Sequence, residues 1–439
     1  MRRCAVRFLV AALASCTMAA SAAPRAHLGL EVHLDPETRK LHAIAELSAT
    51  RESTFLLHPS LTIVSASANG QAVNARIVEG NEQLRRWHIA APREAQWRIE
   101  YGGTLPALDR TIDHRGVLRA RGPMAAAEGS FLPAGSGWYP EPAARFSYRV
   151  RLSLPAGQRG LVPGRLAAES TSGVSDRYEA NFEFDAPAEG IDLMAGPYTV
   201  REKLVPREGR PPLRLRTYFY GDMEALAEGY LQDSERYIAL YTREIGDYPF
   251  DAFAVVASPL PTGFGMPTLT YIGREVLKLP FIRGTSLGHE VLHNWWGNGV
   301  YVDYAKGNWS EGLTTFMADY FYKERESAAA AREMRLAWLR DFAAVPPGAH
   351  RPLATFRSRT HGAEAVLGYG KAAMVFLMLR DEIGEAAFRD GVRRFWKTHR
   401  FRTASWDDLR HAFEKASGRG LGRFFEQWIE RSGGPSYRS

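Results

Sequence analysis

The stretch His289-Glu290-Val291-Leu292-His293 places two histidines four residues apart with a glutamate between them. Four residues are about one turn of an α-helix, so both imidazoles leave the same helix face and can reach one metal ion. The glutamate beside them can serve as a base. Taken alone, the five residues are also compatible with an ordinary helix that has polar side chains and an exposed glutamate. The spacing nevertheless predicts a helix that carries part of a metal site.

A third metal ligand is expected downstream, because a catalytic zinc ion takes three protein ligands and keeps one position for water. Glu311 is the candidate, since it stands in Asn308-Trp309-Ser310-Glu311-Gly312, where another helical pattern begins. A glutamate in a first helical turn is also favoured by the helix dipole alone. The flanking Asn294-Trp295-Trp296-Gly297 supports ligation. One zinc ion per chain is therefore predicted, bound by His289, His293 and Glu311.

Length and composition are those of a globular protein with more than one domain. The chain has 439 residues, of which 45% are hydrophobic and 24% charged, and its formal net charge is +7. A chain of this length is expected to form two or three domains. No basic stripe with interleaved aromatic residues is present, so nucleic acid is not expected as a partner.

The first two dozen residues have the pattern of an export signal. Three arginines within the first seven residues precede the apolar run 8–13, and Ala20-Ser21-Ala22 fits a signal-peptidase site. A signal peptide over 1–22 and a periplasmic location are predicted. An alternative is that Leu13-Ala14-Ser15-Cys16 is a bacterial lipobox, in which case Cys16 carries a lipid anchor. No later apolar run reaches the 18 residues of a transmembrane helix.

Hydrophobic periodicity divides the rest of the chain into two regions. Residues 25–204 alternate with period two, as in 28–34 and 148–154, and Asn69-Gly70 is typical of a hairpin turn. An antiparallel, sandwich-like β domain is predicted there. The Pro- and Gly-rich segment 205–212 is interpreted as a linker.

Residues 213–439 are predicted to form a mainly helical domain. Apolar residues recur at helical spacing over 223–245, and further helices are expected after Glu311, Tyr369, Glu385 and Ser405. Two strands are expected in this region. They cover 213–220 and 253–256.

These motifs resemble those of the gluzincin metallopeptidases of the aminopeptidase N and leukotriene hydrolase type. The resemblance implies a thermolysin-like catalytic domain and the zinc ligands named above, although seventeen residues (294–310) separate His293 from Glu311 where the family has about eighteen. It also matches Tyr369-Gly370-Lys371-Ala372 to the family's Y-x-K-G-type motif. Tyr369 is therefore expected to donate to the oxyanion, although an aromatic residue that only caps a helix fits the same position.

One departure from the family concerns substrate binding. The family's G-x-M-E-N signature corresponds to 263–268, where Pro267 replaces the glutamate that holds the substrate amine. Proline has neither a carboxylate nor a backbone N–H. Gly265 and Met266 are still expected to line the cleft. Glu141 is the carboxylate suspected of replacing the missing anchor.

The function that the resemblance implies is hydrolysis of peptide or protein substrates by metal-activated water, with Glu290 as the base. Asp319, eight residues after Glu311, is a candidate partner for a histidine ligand. Exopeptidase and endopeptidase action both remain open. The alternatives are a scaffold or binding module that has lost catalysis, and a hydrolase of a non-peptide substrate.

Overall fold

The computed structural model describes residues 26–434 except 51–52, 91–93, 120–121, 173–175 and 359–361. The predicted signal peptide over 1–22 and the lipobox residue Cys16 lie outside these residues. Within the described ranges, no helix combines the length and the apolar character that crossing a membrane requires.

The first half of the chain forms a β-rich domain with one short helix, α1 (His114–Arg119). An eight-stranded sheet has the order β13-β14-β11-β1-β2-β8-β4-β5, and a four-stranded and a three-stranded sheet accompany it. The strands are β1 (His27–Asp35), β2 (Lys40–Thr50), β3 (Thr54–Leu57), β4 (Leu61–Ala68), β5 (Gln71–Ala72), β6 (Ala75–Gly80), β7 (Arg85–Ile89), β8 (Ala95–Thr104), β9 (Met124–Ala126), β10 (Gly129–Leu132), β11 (Phe146–Pro155), β12 (Arg159–Leu161), β13 (Arg165–Ser172), β14 (Arg177–Ala188) and β15 (Leu193–Gly196).

Alternating burial explains this domain. Leu28, Leu30, Val32 and Leu34 of β1 are all buried, as the period-two pattern predicts. The predicted hairpin at Asn69-Gly70 joins β4 to β5, and both turn residues have positive φ. The expectation of a purely antiparallel domain is wrong at one place, because β1 and β11 pair in parallel. That pairing joins segments more than a hundred residues apart, which local patterns do not encode.

The segment 205–212 is not a linker. It is the tip of a hairpin formed by β16 (Thr199–Arg207) and β17 (Arg210–Phe219), and Gly209 turns the chain with a φ of 64°. Pro206 is tolerated because β16 is an edge strand and its pairing with β17 skips this residue at a bulge between Val205 and Arg207. The sheet of the second domain therefore begins at Thr199, before the predicted boundary.

The second domain is a five-stranded sheet followed by helices. The sheet has the order β16-β17-β18-β20-β19, so β16 and β19 are its two outer strands. The remaining strands are β18 (Ala252–Ser258), β19 (Gly263–Met266), β20 (Leu269–Gly273), β21 (Tyr301–Val302) and β22 (Thr403–Ala404). The helices are α2 (Ala227–Glu244), α3 (Arg274–Leu277), α4 (Ser286–Leu292), α5 (Ser310–Thr315), α6 (Phe321–Glu326), α7 (Ala328–Ala343), α8 (Ala363–Ala365), α9 (Ala372–Ile383), α10 (Glu385–His399), α11 (Trp406–Ser417) and α12 (Gly422–Phe425). The prediction of a β-rich domain followed by a mainly helical one is confirmed.

Tryptophans anchor the two helices that carry the metal motif. Trp295 and Trp296 follow α4, Trp309 precedes α5, and all three are fully buried. The Nε1–H of Trp295 donates to the Gly246 carbonyl at 3.0 Å, and that of Trp309 donates to the Ala404 carbonyl at 2.8 Å. Buried aromatic residues with a satisfied polar atom fix the backbone on either side. Buried contacts therefore hold the residues next to the metal motif in place.

Candidate metal centre and cleft

His289 of α4 and His293, the residue that caps the C-terminus of α4, are oriented by hydrogen bonds of their Nδ1 atoms. His293 Nδ1 lies 3.0 Å from the carbonyl oxygen of Trp296, and His289 Nδ1 lies 2.8 Å from Asp319 Oδ2. Both partners are acceptors, so each Nδ1 carries the hydrogen and donates it. Nε2 of each ring is then left with its lone pair. The helix thus presents two imidazole nitrogens that are ready to bind a metal.

Glu311 completes a three-ligand cluster. Its Oε2 lies 3.7 Å from His289 Nε2 and 3.5 Å from His293 Nε2. Ligand atoms about 2.0–2.2 Å from a tetrahedral zinc ion stand roughly 3.4 Å from one another. In the described part of the chain, these three residues are the group of His and acidic side chains that can hold one ion together. The donor set and its spacing fit zinc.

Glu311 Oε2 is buried and has no hydrogen-bond partner. An ionised oxygen in such a position is costly unless a cation binds it. Burial opposes ionisation, but the two imidazoles hold the pKa of Glu311 far below its usual range. For His289 and His293, burial acts to lower the pKa, but the neighbouring carboxylates raise it by more. Both pKa values therefore lie above the usual range of histidine. The site is built around charges that a divalent cation would balance.

Asp319 reaches His289 because the helix after α5 widens. In a regular α-helix, eight residues turn a side chain about 80° past two full turns, away from the face of Glu311. Residues Phe316–Tyr320 instead form a π-helical turn, which takes up an extra residue. The carboxylate of Asp319 therefore lies against the ring that it orients. The sequence predicted this partner from helical spacing without the π-turn.

We expect Asp319→Asn to weaken zinc binding at least tenfold, because the carboxylate both orients His289 and raises its basicity. Competition with a chromophoric chelator measures the affinity. Asp341→Asn, on α7 outside the cleft lining, is the control for the same change in charge. Unchanged affinity in Asp319→Asn would contradict the role of Asp319.

Glu290 lies between the metal cluster and the outer strand β19. An added Cβ at Gly265 would come 2.6 Å from Glu290 Oε2 and 3.2 Å from His293 Cδ2, so the strand backbone runs directly past both side chains. Burial raises the pKa of Glu290, and this effect outweighs that of the two imidazoles, which lower it. Gly265 lines the cleft, as predicted from the sequence, whereas Met266 is buried in the core and does not.

Pro267 has a structural explanation. Pro267 and Thr268 form the two-residue turn between β19 and β20, and Thr268 has a φ of 65°, as in a type II turn with proline first. The unusual φ is held by two hydrogen bonds: the Thr268 N–H donates to Asn294 Oδ1 at 2.8 Å, and its Oγ1 accepts from the Gly164 N–H at 2.7 Å. A tight turn therefore occupies the position where the family carries its amine anchor.

Tyr369 stands on the other side of the metal cluster. It lies in a second π-helical turn, Val366–Lys371, and its ring stacks on His289 with centroids 6.4 Å apart and planes 15° from parallel. Phe356 packs edge-on against it at 6.3 Å. The tyrosine lines the same cleft as Glu290. Both groups can therefore face one bound substrate.

The cleft has a volume of about 790 Å³ and is lined by both domains. Glu141 is not part of it, so the suspected anchor is wrong. Its Oε2 accepts hydrogen bonds from the Gly135 N–H at 3.0 Å and the Tyr139 hydroxyl at 2.7 Å, which turn the carboxylate back into its own loop. The first domain contributes a different carboxylate, Glu189, and Tyr304 also lines the cleft. No motif in the sequence marked these two residues.

Comparison with known proteins agrees with this geometry. The peptidase family M1 domain matches residues 285–428. Aminopeptidase N of Escherichia coli strain K12 is 31% identical over 153 residues, which are 34% of this chain and 18% of that protein. Aminopeptidase N of Haemophilus influenzae is 25% identical over 288 residues, 58% of this chain and 31% of that protein. The chain thus matches only a fifth to a third of the length of these relatives.

Solved structures are similar over nearly the whole chain. The M1 zinc metallopeptidase of Deinococcus radiodurans has a TM-score of 0.72 at 20% identity, covering 94% of this chain and 96% of that one. A two-domain M1 zinc metallopeptidase bound to L-arginine has a TM-score of 0.74 at 19% identity, with the same coverage. At such identities the likeness establishes the fold. Residues 285–428 thus match the peptidase family M1 domain, and this part of the chain is similar to aminopeptidase N.

Proposed function

We propose that this protein is a zinc-dependent metallopeptidase that hydrolyses peptide bonds. The observation that carries the proposal is the convergence of His289 Nε2, His293 Nε2 and Glu311 Oε2, with Glu290 and Tyr369 in the same cleft. A scaffold without catalysis would have no need of all five groups together. Hydrolysis of a non-peptide substrate is less well supported, because the cleft is bordered by an unpaired strand edge that suits a peptide.

The chemistry divides between the bound ion and the side chains. Zinc, when held by the three ligands, acts as a Lewis acid and lowers the pKa of water to about 7. Glu290 accepts the proton of the attacking water and passes it to the leaving nitrogen, a role for which its raised pKa is suited. Tyr369 donates a hydrogen bond to the oxygen on which negative charge develops.

Strand β19 can bind the substrate backbone. It is one of the two outer strands of its sheet, and its free edge borders the cleft next to Glu290. An extended peptide can add to such an edge through main-chain hydrogen bonds. This mode of binding needs no free substrate terminus and is compatible with both exopeptidase and endopeptidase action.

Acetylation of a peptide's amino group should slow cleavage by tenfold or less. The reason is that Pro267 supplies no anion, and each factor of ten corresponds to about 1.4 kcal/mol of binding free energy. The measurement compares kcat/KM for a free and an acetylated peptide of one sequence, with products mapped by mass spectrometry. Complete protection by acetylation would mean that the enzyme is a strict aminopeptidase.

The test of the whole proposal is metal content together with cleavage. Purified protein should bind one zinc per chain, and His293→Ala should lose it. A mixed library of peptides with free and blocked termini should be cut only by the zinc-loaded form. Zinc-loaded protein that cuts no peptide in the library would overturn the proposed activity and leave the binding module as the better explanation.

We also propose that the protein is exported and acts in the periplasm. The support is the basic, apolar and small-residue pattern of residues 1–22. Mass spectrometry of the protein recovered from cell fractions tests this. A mature terminus after residue 22 supports cleavage as a soluble product, and a lipid-modified Cys16 supports anchoring. An unprocessed chain in the cytoplasm would contradict export.

A further inference from the structure

One wall of the cleft carries an anion that the proposed hydrolysis does not use. Glu189 directly follows β14, and its side chain is half exposed. Arg145 donates to it twice, from Nε at 3.0 Å and from Nη2 at 2.5 Å, and both bonds end on Oε1. The second carboxylate oxygen of Glu189, Oε2, is therefore available to another hydrogen-bond donor.

The position of Glu189 is fixed from the second domain. Arg145 Nη1 donates to Thr403 Oγ1 at 2.7 Å, and its guanidinium lies 4.1 Å from the centre of the Tyr301 ring. The Tyr301 hydroxyl donates to the carbonyl of Pro187 at 2.6 Å, two residues before the glutamate. Contacts on both sides therefore hold the carboxylate at one place on the cleft wall. A fixed charged group is what selective recognition of a ligand requires.

Tyr304 adds an aromatic surface to the same wall. Its side chain lines the cleft and is 48% exposed. Burial of part of the residue raises the pKa of its hydroxyl to about 12, and the carboxylates of Glu189 and Glu311 add to this rise. Tyr304, Glu189 and the metal ligand Glu311 all line the same cleft. A carboxylate and an exposed aromatic face in one cleft can together bind an organic cation.

We propose that Glu189 and Tyr304 form a subsite for a cationic nitrogen of the substrate. The cation is the α-ammonium of the substrate or the side chain of a lysine or arginine near the cleaved bond. This inference rests on the proposed peptidase function and adds a substrate preference to it. Because Arg145 already neutralises part of the charge of Glu189, the subsite gives a moderate preference and not an absolute requirement.

The experiment uses four peptides of one parent sequence. Two peptides contain norleucine at one position, and the other two contain lysine there. Within each pair, one peptide has a free amino terminus and the other an acetylated one. The ratio of kcat/KM for each cationic peptide to its neutral counterpart is measured for the zinc-loaded wild type, Glu189→Gln and Tyr304→Leu. We expect a wild-type ratio of about five for one cation source, equivalent to about 1 kcal/mol. Both variants should bring it close to one.

Glu179→Gln is the matched control. Glu179 lies on β14, is also paired with an arginine, Arg151, and does not line the cleft. Its substitution changes the net charge equally and should leave the ratio unchanged. Two ratios are compared: free to acetylated terminus, and lysine to norleucine. The ratio that falls in Glu189→Gln and Tyr304→Leu identifies the source of the cation.

Three outcomes would overturn the inference. The first is a wild-type ratio of one in both arms. The second is a ratio above one that neither Glu189→Gln nor Tyr304→Leu reduces. These two leave peptide hydrolysis intact and so reject the subsite alone. The third is failure of the zinc-loaded wild type to cleave any of the four peptides, which rejects the proposed function together with the subsite.

Discussion

Substitution of Glu290 by glutamine should reduce peptide hydrolysis by at least about 10²-fold while zinc stays bound. Glutamine has the shape of glutamate but cannot accept the proton of the attacking water at neutral pH. The three metal ligands are untouched, because Glu290 is not one of them. Steady-state kinetics and metal analysis of the same sample measure the two quantities together.

Glu333→Gln is a suitable control for this experiment, because it makes the same chemical change at an exposed residue of α7 outside the cleft. It should retain wild-type activity. The pH profile gives a second readout, because the acidic limb of kcat/KM should disappear with the base. Near-normal activity of zinc-loaded Glu290→Gln would mean that another group accepts the proton.

Substitution of Tyr369 by phenylalanine should lower kcat by about 10²-fold and leave KM nearly unchanged. A hydrogen bond to the developing oxyanion is stronger in the transition state than in the bound substrate, so its loss appears mainly in the rate constant. Phenylalanine keeps the ring that stacks on His289 and packs against Phe356, so the surrounding structure should persist.

The split between kcat and KM decides the role of Tyr369. A rise in KM at constant kcat would make the residue a wall of the binding cleft, and the donor to the oxyanion would have to be found elsewhere. Zinc content should equal that of the wild type, since the Tyr369 hydroxyl is not one of the three ligand groups. Loss of zinc in Tyr369→Phe would instead point to a disturbed His289.

The parts of the structure that follow from local sequence were predicted well. Alternating apolar residues gave β1, and the helix predicted after Ser405 is α11, which begins with a capping box of Ser405 and Asp408. The four-residue spacing was also enough to propose His289 and His293 as a pair, and the structure places them in one cluster with Glu311. In each case the relevant geometry is set within a few residues or by the face of a single helix.

Features that depend on distant contacts could not be predicted. Glu189 reaches the cleft only because β14 ends there, about a hundred residues before the zinc helix. Glu141 was chosen by resemblance, but two nearby donors turn its carboxylate away from the cleft. Asp319 was predicted as a histidine partner, but the π-helical turn that brings it to His289 was not. Chemistry at the cleft wall is therefore harder to predict than chemistry on the motif helix.

The hairpin of β16 and β17 has a consequence for how this architecture can be divided. A chain that started at residue 213 would lack β16 and the first three residues of β17, and the sheet beneath the cleft would end in an exposed edge. Such edges pair with other chains and promote aggregation. A fragment that keeps this sheet whole must therefore begin no later than Thr199, and it would still lack Glu189, which the first domain contributes to the cleft wall.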